Sequence, residues 1–154
     1  MKLKRATYRH IEAEIYAYRD TLRAMNELRQ DIIHKGREED SVAVGGGGYI
    51  QSSVERRATT LADSILLGEM SRITTAIRET FDKAKEEGRR IVYVKYGLAI
   101  DWQPPFELSE KMKWKNRFDM SVDDMSIMLP VDESTFHRHR TGFVYGVAER
   151  LGWW

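Results

Sequence analysis

Cysteine is absent from the 154 residues, which removes disulfides, thiolate zinc sites, iron–sulfur ligation and cysteine nucleophiles at once. Proline is scarce: only Pro104, Pro105 and Pro130 interrupt the chain, so regular structure is free to run long. No apolar run approaches the roughly 18 residues that a membrane span needs. The opening Met1-Lys2-Leu3-Lys4-Arg5 leads into a charged, periodic segment instead of an apolar signal core. An excess of one charge is missing too. With 25 basic and 24 acidic residues the net charge is +1, so bulk electrostatics neither demands a nucleic-acid partner nor forbids one. What is present, 42% hydrophobic and 32% charged residues, suits a soluble intracellular protein with a core of its own and no membrane partner.

Tyr8, Ile11, Ile15, Tyr18, Leu22 and Met25 recur at steps of three and four and continue through Leu28 to Ile32, the stripe of one long amphipathic helix over 1–36 that stops at Gly36. Residues 37–53 turn polar around Gly45-Gly46-Gly47-Gly48, a composition that reads as a flexible linker. Periodicity resumes at Val54 and passes through Leu61, Ile65, Met70, Ile77 and Phe81. It predicts a second long helix over 54–88, with Lys83 and Lys85 in its last turns and Gly88 as its stop. The two helices can pair as an antiparallel hairpin or with another copy of the chain, and spacing does not choose.

The remainder, 89–154, reads as a C-terminal domain. Ile91-Val92-Tyr93-Val94 leans to strand on its own composition. Lys111, Lys113, Lys115 and Arg117 alternate with apolar or polar residues, which predicts an extended segment with a cationic face. That face suits a phosphate backbone, and equally an edge strand guarded by lysines. Ser121 with Asp124 three residues on has the form of a capping box, and Asp132 can cap a second helix that runs to Gly152. A short helix, a brief turn and a longer helix make a helix-turn-helix pattern, in which the second helix can enter a DNA major groove.

In that pattern Met125, Leu129, Val131 and Phe136 pack the two helices together, and Ser126 permits their close approach. Glu133, Ser134, His137 and Arg138 face outward near the start of the second helix, with Thr141 one turn further. Arg138 is the candidate for a guanine edge, because a guanidinium can meet O6 and N7 together. Ser134 and His137 suit a base or a phosphate, and Arg140 a phosphate. The same residues also describe a helical hairpin whose cations are merely solvated. The surplus of acids after residue 118, where Asp119, Asp123, Asp124, Asp132, Glu133 and Glu149 outnumber Arg138, Arg140 and Arg150, favours that plainer description.

His137 and His139 are two apart and do not share a helix face, so no metal is expected. His10 and His34 read as solvated helix residues, and Trp153-Trp154 as a pair buried against its own domain. The glycine run lacks the Lys-Ser or Lys-Thr of a phosphate loop. No nucleophile and base stand at a recognisable spacing, so neither a cofactor nor enzymatic activity is expected.

Lys4-Arg5-Ala6-Thr7-Tyr8-Arg9-His10-Ile11-Glu12-Ala13-Glu14-Ile15-Tyr16, Leu28-Arg29-Gln30-Asp31-Ile32-Ile33-His34, Val94-Lys95-Tyr96, Ser134-Thr135-Phe136-His137-Arg138 and Val147-Ala148-Glu149-Arg150-Leu151-Gly152-Trp153 stand in an order that resembles the RinA-type late transcriptional activators of phages of Gram-positive bacteria. The resemblance implies a mainly α-helical phage protein of the host bacterial cytoplasm that binds double-stranded late-promoter DNA. It also implies a C-terminal domain similar to sigma-factor region four, a helix over Val92 to Leu98 in place of the strand, and a recognition helix starting at Asp132. The segment 99–119 is longer than the usual connection, and Ser126 stands where alanine is usual. Self-association as a dimer and contact with host RNA polymerase are the expected partnerships. A small-terminase-type packaging protein, or a protein that touches polymerase or sigma factor without touching DNA, are the alternatives.

Overall fold

A computed structural model of the chain describes residues 2–41 and 53–154. Among them run seven α-helices and no strand: α1 (Arg5–Tyr16), α2 (Tyr18–Ser41), α3 (Ser53–Lys83), α4 (Glu86–Tyr96), α5 (Phe106–Lys113), α6 (Val122–Met128) and α7 (Glu133–Leu151), with one 3-10 turn at Arg117–Asp119. The fold is mainly α, as the periodicity predicts. Two compact units divide it. Met1–Tyr18 and Thr75–Trp154 form the first; Arg19–Thr74 forms the second.

Several boundaries differ from the sequence expectation. The helix expected over 1–36 breaks at Ala17, whose N–H still bonds to the Ala13 carbonyl at 3.0 Å, so neither proline nor glycine advertises the break. Gly36 does not stop α2, which runs on to Ser41; a helix tolerates an interior glycine at a cost of about 1 kcal/mol. Of the expected linker, 37–41 continues α2 and Ser53 opens α3, whereas the glycine run lies outside the described residues.

In the second unit two contacts among the described residues orient α2 and α3. Lys35 Nζ meets Asp63 Oδ2 at 3.1 Å, and the Thr74 hydroxyl lies 3.6 Å from Met25 Sδ. Low numbers on α2 meet high numbers on α3, so the two helices run antiparallel.

The first unit is built around α7, which packs on α4, α1 and α6. Ile11, Ile15, Ile77, Phe81, Ile91, Val92, Val94, Phe136, Val144 and Val147 are fully buried there. Gly88 is not the end of α3, which stops at Lys83. It lies in the first turn of α4, where a Cβ would sit 3.2 Å from His139 Nδ1; its missing side chain serves close approach to α7. The strand that composition favoured around Ile91 to Val94 is the middle of α4. Burial of Ile91, Val92 and Val94 on several sides gives a continuous apolar run that a buried helix and a buried strand share.

The extended segment expected over Lys111 to Phe118 is likewise absent. Leu108 and Met112, four apart, are the residues buried, and they fold the segment as α5. Trp114 and Phe118 of the alternating pattern remain exposed. An Asn116 cap, whose Oδ1 accepts from the Phe118 amide at 3.1 Å, then starts the 3-10 turn.

α4 ends on Gly97 at φ 71°, a left-handed cap whose amide reaches the Tyr93 carbonyl at 2.8 Å. A Cβ there would meet the Arg117 guanidinium, the mobile end of a long side chain. Gly97→Ala therefore meets chiefly the left-handed penalty, and should lower stability by about 1–2 kcal/mol in urea denaturation. A variant as stable as the parent would show that this constraint does not act.

Candidate nucleic-acid interface

The geometry of α6 and α7 grows from local chemistry. Ser121 Oγ accepts from the Asp124 amide at 3.1 Å and Asp124 Oδ2 accepts from the Ser121 amide at 3.2 Å, the reciprocal capping box that begins α6. Asp132 takes the N-cap position of α7, with its carboxylate on the Ser134 hydroxyl at 2.7 Å. Between the helices, the Val131 amide bonds back to the Ser126 carbonyl at 3.0 Å. Met125 and Phe136 belong to the buried cluster with Ile91, Val94, Leu108 and Met128, and Leu129 and Val131 pack against its edge. Ser126 is buried, so the pair does close at a small side chain.

This arrangement turns one stripe of α7 inward and leaves another outward. Phe136, Phe143, Val144 and Val147 are buried, while Glu133, Ser134, His137, Arg138 and Thr141 share the exposed face of the first turns. Thr141 is also the hydrogen-bond partner of Tyr8 on α1, whose phenol is pushed above its usual range by burial despite that bond.

Arg140, expected on a phosphate, is held inside the unit. Its Nε and Nη2 donate to Glu12 Oε1 at 3.0 and 2.7 Å, and the Tyr96 hydroxyl donates to the same oxygen at 2.5 Å. Burial and then the bond to Glu12 drive the Tyr96 phenol far above its ordinary value. Burial opposes the Arg140 charge, but its bonds to Glu12 and Tyr96 outweigh that and raise its pKa. Glu12 lies 128 residues away in sequence, and no local pattern points to it.

The basic row also divides. Lys111, Lys113 and Lys115 are exposed, on α5 and just after it, and Lys113 Nζ lies 5.5 Å over the Trp114 ring. Lys111 and Lys115 flank a cavity beside α6 that Asp124 and Ile127 also line. Arg117 leaves the row and lays its guanidinium against Gly97.

His139 meets Glu87 across the approach of α4 at 3.0 Å, whereas the neighbouring His137 is exposed. Among the described residues no group of three or more His, Cys, Asp or Glu side chains is placed to hold a metal ion. Trp153 stacks on His10 at 5.0 Å, and Trp154 is exposed.

One feature of the site has no signal in the local sequence. A cavity of 490 Å³ runs along α7 beside the end of α3 and the start of α4, lined by Lys83, Lys85, Gly88, Arg138, Gly142 and Phe143 among others. Lys83 and Lys85 read in sequence as helix-ending cations; their nearness to Arg138 arises from packing. No helix among the described residues is long and apolar enough to cross a membrane. No protein-family model, curated protein or solved structure matches this chain.

Proposed function

We propose that this protein is a phage late transcriptional activator that binds promoter DNA sequence-specifically through α6 and α7, acting in the host bacterial cytoplasm. The observation that carries this reading is the exposed stripe of Glu133, Ser134, His137 and Arg138, with Thr141 exposed one turn on although bonded to Tyr8, set on a helix whose other side is anchored in the core. Those residue types match base edges and phosphates: Arg138 a guanine, Glu133 a cytosine amino group, Ser134 and His137 either a base or a phosphate. Asp123 and Asp124 stand in the first turn of α6 and Asp132 before α7, so these three aspartates sit at helix starts, and Glu133 is the acid that the outward stripe itself carries. The resemblance of both chain ends to RinA-type activators supports the same reading. The second unit then serves self-association or contact with RNA polymerase, and a dimer sets two copies of α7 about 34 Å apart on successive major grooves.

Footprinting on the late-promoter region of the encoding phage tests this. The protein should protect a defined site, and Arg138→Ala should relax preference at one base position at a cost of about 1–3 kcal/mol. If protection is absent at low salt, the reading is wrong. Polymerase retained by a column of the protein under those conditions would then favour an interaction protein that never meets DNA.

A further inference from the structure

The cavity beside α7 differs in charge from two others near the proposed interface, one of which is lined by Glu86 and Glu87 and the other by Asp124. Among the described residues no carboxylate lines it, while Lys83, Lys85, Arg138, His139 and Arg150 do. Two of these are already answered: His139 by Glu87 at 3.0 Å and Arg150 by Glu79 at 3.4 Å. Lys83, Lys85 and Arg138 have no ion-pair partner among the described residues, and all three are exposed. The lysines on and just after α5 are in a different position, since the cavity that Lys111 and Lys115 line is also lined by Asp124.

The floor is shaped for close approach. Gly142 sits in the interior of α7, where alanine is the more favourable residue, and a Cβ there would meet nothing within 4 Å. Space is open above the α7 backbone in the cavity that Lys83, Lys85 and Arg138 line. Arg138 stands on both features, lining this cavity and belonging to the outward stripe.

We infer that the cavity formed by the end of α3, the start of α4 and α7 is a phosphodiester seat, in which Lys83 and Lys85 hold the backbone of the duplex whose major groove receives α7. This rests on the DNA-binding reading above and extends it to two residues that no motif marks. Backbone phosphates are single anions at regular spacing, and a row of unpaired lysines neutralises them without reading sequence. The seat also moves the positive charge that DNA binding requires away from the acid-rich segment of α6 and onto α3 and its junction with α4.

The test is equilibrium binding to the promoter duplex and to a mixed-sequence duplex over a series of salt concentrations. Parent protein is compared with Lys83→Gln/Lys85→Gln, Lys111→Gln/Lys115→Gln and Gly142→Met. Loss of two phosphate contacts should make the slope of log affinity against log salt shallower by about 1.8, and should weaken both duplexes alike by ~10- to 100-fold at 0.1 M salt. Gly142→Met starts from a Cβ that meets nothing and extends a side chain into the seat, so it should bind more weakly while melting no lower than the parent. A parent-like slope for the Lys83/Lys85 variant, or a larger change in the Lys111/Lys115 variant, overturns the seat and leaves DNA binding standing. Failure of the parent to bind either duplex at low salt overturns both.

Discussion

Arg140→Ala is expected to destabilise the first unit by about 3 kcal/mol, far more than Arg138→Ala at the exposed position two residues before it. The reason lies in what is left behind. Glu12 keeps only 14% of its side-chain surface exposed, and with Arg140 gone its carboxylate would retain a single strong donor, the Tyr96 hydroxyl. Removing one member of such a pair strands a charge in a poorly solvated place, whereas removing both together does not. Glu12→Leu/Arg140→Met should therefore lie closer to the parent than Arg140→Ala does, with a coupling of at least about 1 kcal/mol in a double-mutant cycle read by urea denaturation. If Arg140→Ala proves neutral in stability and instead flattens the salt dependence of DNA binding, the side chain works on phosphate and the internal pair is unimportant.

Phe136→Ala should cost about 3–5 kcal/mol, since the ring is 0% exposed and shares its cluster with Met125, Met128, Leu108 and Ile91. That is a large part of the stability of a domain this size, which is typically 5–15 kcal/mol. The ring joins α6 to α7, so the same substitution should abolish footprinting although Phe136 itself offers nothing to DNA. Phe136→Leu, which refills part of the space, should recover much of the loss. A Phe136→Ala protein that unfolds at the parent midpoint would mean that α6 and α7 hold together by other contacts.

These two variants separate what is legible locally from what is not. The capping box at Ser121 and Asp124, the helical stripes and the packing role of Met125, Leu129, Val131 and Phe136 are all readable within about a dozen contiguous residues, because hydrogen-bond reach and helical period are short-range properties. Where the pattern misleads, it does so for a stated reason. Ile91 to Val94 is apolar on all sides, so period has nothing to report, and Lys111 to Phe118 alternates by type while Leu108 and Met112 determine the buried face. Gly36 and Gly88 look like helix stops, yet one is carried through α2 and the other leaves room for His139.

The charged side chains belong to a different class. Arg138 and Arg140 are neighbours on one helix and nearly identical as text, but one lines an open cavity and the other closes on Glu12. Periodicity assigns a residue to a face of its helix, and it carries no information about which distant element will lie against that face. The helical character and the local caps of this chain thus follow from contiguous residues. The partners of its arginines, the burial of Glu12 and the meeting of Lys83, Lys85 and Arg138 follow from how α1, α3, α4 and α7 assemble, because electrostatic pairing acts through space between residues far apart along the backbone.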